Sequence, residues 1–289
     1  MTSPPVALTV AGSDSGGGAG IQADLTTFAA HGVHGASAVT AVTVQDTTGV
    51  HGIHLVPPDV VLDQVRAVLT DLRPAAVKTG MLGGAATTHA VAALAADALL
   101  PRLVVDPVLV STSGHSLAGD GVIVALRDHL LPHASVLTPN TDEAAALLRC
   151  TPAASLDEQV EQARALVHLG CPTVVVTGGA FERPRGPSRP LRVDVVATTR
   201  GVHTLTAPEI ATTNDHGTGC TFASAIAAGL AHGLPVLAAV EMAHTFVRSA
   251  LTQAADWRIG RGRGPVSHVQ HPTQTDVQTQ SSPPRGEHP

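Results

Sequence analysis

Short runs of apolar, often β-branched residues recur along the chain, bounded by Gly, Pro, Asn or Asp. They are 6-VALTVAG-12, 36-ASAVTAVTVQ-45, 75-AAVKTGM-81, 103-LVVDPVLV-110, 135-SVLTPN-140 and 173-TVVVTGG-179. Continuous apolar runs of this kind predict strands buried on both faces. Between them, apolar positions return at three- and four-residue steps. In 59-DVVLDQVRAVLTDL-72, residues Val61, Val65, Val68, Leu69 and Leu72 share one helical face. Similar segments follow at roughly 84–100, 119–131, 142–149 and 156–169. Alternation of strand and helix predicts right-handed crossovers and an α/β architecture, with a mainly parallel sheet covered by helices on both sides. From about 186 to 209 the pattern changes to a polar loop and two β-like runs, VDVVAT and GVHTLTAP, which predict an antiparallel edge. Residues 1–268 read as one domain without internal repeats. The Pro/Gln/Ser/Thr-rich segment 269–289 reads as a disordered polar tail, since it holds too little apolar surface to order itself.

Composition narrows the class. Hydrophobic residues make up 44% of the 289 positions but aromatics only 2%, so the core must be built from Ala, Val and Leu. Charged residues are 14%, the net charge is -6, and no long basic run occurs, which argues against a nucleic-acid partner. No uninterrupted apolar stretch approaches the roughly 18 residues of a spanning helix, so no membrane partner is expected. The start MTSPPVALTVAG lacks a basic region before its apolar run, so no secretory signal is expected. Three widely spaced cysteines make no disulfide framework, and a reduced, cytoplasmic protein is the reading. Lysine occurs once, at Lys78, as nucleotide bias in a genome would produce.

In such a sheet ligands bind beyond the carboxyl ends of the strands. After the first strand, 11-AGSDSGGGAGIQAD-24 lets backbone amides approach a ligand just before a helix. It is not a Walker loop, because the Gly-Lys-Ser/Thr ending is missing. Asp24, one turn into that helix, is expected to face the same cleft. The second strand ends at Gln45-Asp46-Thr47, whose amide and carboxylate suit a small polar heterocycle. Asp106 precedes Pro107, and Pro139-Asn140 is followed by Glu143; this sparse, oxygen-only set suits Mg²⁺ held largely through water. Sixteen histidines include the helix-spaced pairs His31/His34, His51/His54 and His129/His133. No third ligand lies near any of them and HExxH is absent, so they read as solvated or capping side chains. Cys150 and Cys171 read as ordinary small core residues. In 213-TNDHGTGCTFASA-225, glycines free the backbone ahead of a helix of small residues. Its amino-terminal amides and dipole suit an anion, and such a cradle would stabilise the charge that develops in phosphoryl transfer.

Taken in order, AGSDSGGGAGIQAD, AVTVQDT, VKTGML, VVDPV, TPNTDEA, TGG and HGTGC resemble the hydroxymethylpyrimidine/phosphomethylpyrimidine kinases of thiamine biosynthesis, over residues 6–268. The resemblance implies the three-layer αβα ribokinase-like fold. It also implies ATP- and Mg²⁺-dependent phosphorylation of 4-amino-5-hydroxymethyl-2-methylpyrimidine, and then of its monophosphate to the diphosphate. It places Gln45 on the pyrimidine, with Gly12, Asp24, Met81 and Val108 lining the same pocket. It places Asp106, Asn140 and Glu143 near Mg²⁺-ATP, Asp106 and Glu143 on the metal side, with Thr177 and Gly179 beside the nucleotide. Gly217, Thr218, Gly219 and Cys220 become the anion hole. Cys220 stands where related sugar kinases carry an aspartate base, and reads as a backbone donor with a thiol near the acceptor hydroxyl. Thr112 and Thr177 stand where the family usually has lysines. Two alternatives remain at this stage, a kinase of pyridoxine or pyridoxal and a pyrimidine-binding sensor without turnover. A homodimer is compatible with the resemblance.

Overall fold

The computed structural model describes residues 3–109, 119–179 and 190–268. Thr112, the arginine-bearing stretch 183–189 and the tail 269–289 lie outside them. Nine strands form one sheet: β1 (Val6–Ser13), β2 (His34–Asp46), β3 (Gly49–Leu55), β4 (Ala76–Thr79), β5 (Val104–Val105), β6 (Val136–Leu137), β7 (Thr173–Gly179), β8 (Leu191–Thr198) and β9 (Gly201–Pro208). Their order is β3-β2-β1-β4-β5-β6-β7-β8-β9. From β2 to β7 every pairing is parallel, while β3 on one edge and β8 and β9 on the other run antiparallel. The expected edge at 186–209 is therefore present in its described part.

Neighbouring residues of the inner strands serve opposite faces. Leu8, Val77, Val105, Leu137 and Val174 join one apolar core. That core is covered by α2 (Pro58–Asp71), α3 (Ala85–Ala96), α4 (Asp120–Ala125), α5 (Thr141–Leu148) and α6 (Leu156–His168). Ala7, Ala76, Val104, Val136 and Val175 join the other core, under α1 (Gly20–Ala30), α7 (Thr218–Ala231) and α8 (Val236–Ala254). The scarcity of aromatic residues is answered by close helix packing. A Cβ placed on Gly229 of α7 would come within 2.9 Å of the Ala239 Cβ on α8.

Four differences from the sequence reading concern where elements stop or begin. The central strand β5 and its neighbour β6 are two residues each rather than spanning 103–110 and 135–140, because Pro107 and Pro139 cannot donate to the ladder. The expected helix 119–131 is α4 followed by a π-helical turn at Leu126–Leu130 and a 3₁₀ turn at Leu131–His133, where Pro132 sits. Strand β3 was not foreseen, since its glycines and histidines hide a short edge strand that pairs with β2. Helix α8, also unforeseen, completes the second helical layer.

Candidate active site

A cleft of about 950 Å³ opens beyond the carboxyl ends of the central strands. Gly12, Gln45, Met81, Asp106, Val108, Asn140, Glu143, Thr177 and the loop Gly217 to Cys220 all line it. Two expected residues do not. Gly179 is buried in β7, and its neighbour Gly178, at φ 83°, faces the cleft instead. Asp24 is fully buried beneath the floor. A position one turn into a helix fixes the angle about its axis, but not whether that side meets the cleft or the core.

Asp24 holds the only lysine of the chain. Lys78 Nζ donates to both carboxylate oxygens at 2.9 Å, while the hydroxyls of Thr9 and Ser224 each donate to Asp24 at 2.6 Å. Burial alone would depress the Lys78 ammonium, but Asp24, together with Cys220 and Asp106, holds it above the ordinary lysine range. Lys78 Nζ also lies 3.7 Å from Asp106 Oδ2. The space it fills is closed by glycine, since a Cβ on Gly80 would sit 2.8 Å from Nζ. A charge inside the apolar run AAVKTGM was the sequence signal for such a pair.

Above this floor sit two elevated carboxyl groups. Burial pushes Asp106 up to about 6, Lys78 opposes the shift and Asp24 adds to it. Burial and the neighbouring Asp106 push Glu143 up to about 8, against N–H donors from Asn140 and Leu109. Glu143 and Asn140 form a reciprocal capping box at the start of α5: each side chain accepts the other residue's backbone N–H at 2.9 Å. Asp106 Oδ2 has no hydrogen-bond partner among the described residues. Two neighbouring carboxyl groups, each held above its ordinary range by burial, fit a divalent cation, whose charge would favour their ionised forms. Among the described residues no cluster of three or more ligating side chains occurs, so such a cation would take most of its ligands from phosphate and water.

Helix α7 starts at Thr218 behind Gly217, whose φ is 84°. A Cβ on Gly217 would fall 1.8 Å from the Gly18 carbonyl oxygen, so the two glycine-rich loops interlock where only glycine fits. Gly219 has no such backbone demand; a Cβ there would meet only Asp106 Oδ1, at 4.0 Å, on the cleft lining. Burial pushes the partly buried Cys220 thiol up to about 12; Lys78 pulls it down, Asp106 and Asp24 push it up. The thiol is therefore protonated near neutral pH, and the dipole of α7 does not make it a thiolate.

Two polar residues beside the glycine motifs escaped the sequence reading. Asp14 Oδ1 accepts the Gly16 N–H at 2.8 Å, and its Oδ2 accepts those of Gly18 and Ala19 at 3.1 and 2.9 Å. Burial would raise Asp14, but His216 and these amides outweigh it and hold the group below its ordinary value. His216 Nε2 lies 2.9 Å from Asp14 Oδ2, bridging the first glycine loop to the residue just before Gly217. A bulge between Val44 and Gln45 turns the Gln45 side chain toward the same place. Their signal was adjacency alone: an aspartate inside GSDSGG and a histidine before GTGC.

A parallel sheet with its cleft at the strand ends, a helix amino terminus aimed into that cleft and a carboxylate facing it define a phosphotransferase of the ribokinase-like kind. The chain belongs to the phosphomethylpyrimidine kinase family, whose model matches residues 14–267. It is 47% identical over 266 residues to the hydroxymethylpyrimidine/phosphomethylpyrimidine kinase of Synechococcus elongatus, covering 91% of this chain and 97% of that one. It is 46% identical over 265 residues to the chloroplastic thiamine biosynthetic bifunctional enzyme of Arabidopsis thaliana, covering 91% of this chain but only 50% of that longer protein. Among solved structures, the ADP complex of Bacillus subtilis pyridoxal kinase superposes with a TM-score of 0.82 at 34% identity, covering 92% of this chain and 98% of that one.

Proposed function

We infer that this chain transfers the terminal phosphoryl group of ATP to the hydroxymethyl group of 4-amino-5-hydroxymethyl-2-methylpyrimidine, and then to the resulting monophosphate. The observation that carries the reading is one cleft lined both by the Gln45 amide and by the amino terminus of α7, with Asp106 beside that terminus. Gln45 receives the polar edge of the ring, and Gly12, Met81 and Val108 flank it. The backbone amides from Gly217 to Cys220 hold the moving phosphoryl group, whose equatorial oxygens gain charge in a loose transition state. Asn140, Thr177 and Gly178 lie on the nucleotide side. Asp106, with Glu143 behind it, would hold Mg²⁺, which would supply positive charge against that of the phosphates. Cys220 keeps its proton and sits near the acceptor hydroxyl; the loose transition state asks little of a base.

The chain's one lysine is sealed beneath the floor, so it cannot reach a phosphate. Positive charge on the cleft comes from Arg192, Arg248 and Arg263 among the described residues, of which Arg192 is paired with Glu209 and Arg263 with Asp215. The monophosphate brings a charge that the alcohol lacks, so the alcohol is expected to be the better acceptor. A second reading, phosphorylation of pyridoxal, is favoured by the structural likeness to a pyridoxal kinase. One experiment addresses both. ATP consumption is measured with the pyrimidine alcohol, its monophosphate and pyridoxal, with and without Mg²⁺. Turnover of both pyrimidines with little of pyridoxal is expected, and preference for pyridoxal would overturn the pyrimidine reading.

A further inference from the structure

Two contacts of the Gln45 amide set like groups against each other, and turning the amide relieves both. His216 Nε2 lies 2.9 Å from Asp14 Oδ2 and 3.2 Å from the Gln45 amide nitrogen Nε2. An ionised carboxylate only accepts, so His216 Nε2 must carry the proton and donate. An amide nitrogen also only donates, and it cannot face that proton. At the other side of the amide, Gln45 Oε1 lies 3.3 Å from Thr43 Oγ1, whose proton goes to the Ser13 carbonyl at 2.9 Å. The Thr43 oxygen is then an acceptor facing an acceptor. Turning the planar amide by half a revolution, which barely changes its shape, resolves both ends. Its carbonyl then faces the one His216 Nε2–H, shared in a three-centre bond with the nearer Asp14 Oδ2, and its NH₂ donates to Thr43.

We propose that His216, anchored by Asp14 and assisted by Thr43, is a specificity-determining positioning residue that locks the Gln45 amide with its carbonyl toward His216. The amide keeps one carbonyl lone pair and one N–H side by side for a ligand, in a fixed order. A 4-aminopyrimidine presents the complement, an exocyclic N–H donor beside a ring-nitrogen acceptor. The 4-oxo counterpart presents an acceptor beside a ring N–H donor, which a freely turning amide would serve equally well. Because the 5-hydroxymethyl group must point at the α7 terminus, the ring cannot invert to compensate. The locked amide therefore selects amino over oxo at position 4. The argument rests on the pyrimidine reading above.

The test compares kcat/KM for the 4-amino alcohol and for its 4-oxo counterpart, in wild type, His216→Leu and Thr43→Val, with melting curves to establish folding. Wild type is expected to favour the amino ring by about a hundredfold or more, as sites built around paired polar groups do. In each folded variant that ratio is expected to drop by about tenfold or more, mainly through KM, since the amide is then free to turn. Parallel loss on both rings with an unchanged ratio would mean that His216 and Thr43 act only as scaffolding, and overturns the assignment. If His216→Leu does not fold, Thr43→Val alone decides by the same criterion. A wild type that treats the two rings alike also overturns it. A wild type that phosphorylates neither ring overturns the pyrimidine reading itself, a separately recognisable outcome.

Discussion

At Cys220 the local potential decides between two chemistries. Lys78 attracts a thiolate there, but burial and the charges of Asp106 and Asp24 outweigh it, leaving a thiol pushed up to about 12. Cys220→Ser is therefore expected to retain kcat within about tenfold of wild type. The pH profile between 6 and 9 should show no ionisation attributable to position 220. A fall of about two to four powers of ten would instead identify a thiolate base. At Gln45, replacement by leucine leaves the polar edge of the ring unpaired, which costs about 1–3 kcal/mol. KM for the alcohol should rise about tenfold or more while ATP binding stays the same; an unchanged KM would remove Gln45 from the site. Gln45, Asp106 and Asn140 were legible as cleft residues because they stand at or just past strand ends, which converge there, whereas Met81 came only from the family resemblance. Asp24 was misread as a cleft residue, because its partner Lys78 is 54 positions away and no local pattern reports that contact.

Between elements, prolines and glycines decide what reaches the cleft. Pro107 and Pro139 cut β5 and β6 to two residues, and the chain thus freed carries Val108 and Asn140 to the cavity. The six parallel strands were legible from their apolar runs, and so were α2, α5 and α6 from their periodicity. Strand β3 was not, because GVHGIHL has the composition of a loop and owes its form to β2. Nor was α8, for which no apolar stripe was singled out. Interlocking of the two glycine loops gives the sharpest element-scale expectation. Gly217→Ala combines a left-handed φ of 84° with a Cβ 1.8 Å from the Gly18 oxygen. Both loops must move, so catalysis of both steps should be lost and the melting temperature lowered. Gly219→Ala lacks that strain and should keep its melting temperature while losing turnover. Equal turnover in both variants and wild type would argue against an anion hole at this helix terminus.

For the molecule as a whole, the Lys78–Asp24–Asp106 group ties β1, β4, α1 and the site floor together. Removing one partner of a buried pair leaves uncompensated charge and costs about 3–5 kcal/mol. Lys78→Met should lose stability on that scale at neutral pH in chemical denaturation. The deficit should shrink as pH falls, because the abandoned carboxylates can then take up protons. In wild type the sign is the reverse: the ammonium is held above its ordinary range, so its contribution is full below that range and lost only in strong alkali. A deficit under about 1 kcal/mol would show that packing rather than charge holds the floor. At the far edge, β2 and β3 expose Val42, Val44, Ile53 and Leu55, each at least 40% accessible, on a sheet edge with open backbone groups. We expect a second copy of the chain to cover them. Sedimentation should find a dimer for wild type and a monomer for Val44→Asp paired with Ile53→Asp; a monomeric wild type would refute this.

The buried lysine has an analytical consequence. Lys78 is the only ε-amine in 289 residues, and its side chain is fully buried. A lysine-specific protease can therefore cleave this chain at one peptide bond, and only after β4 has left the centre of the sheet. Amine-reactive labels face the same limit, with the α-amino group as an internal standard for reagent strength. A single fragment pair, 1–78 and 79–289, would thus count openings of the site floor directly. Ligands that slow its appearance would be identified as binders without any assay of turnover.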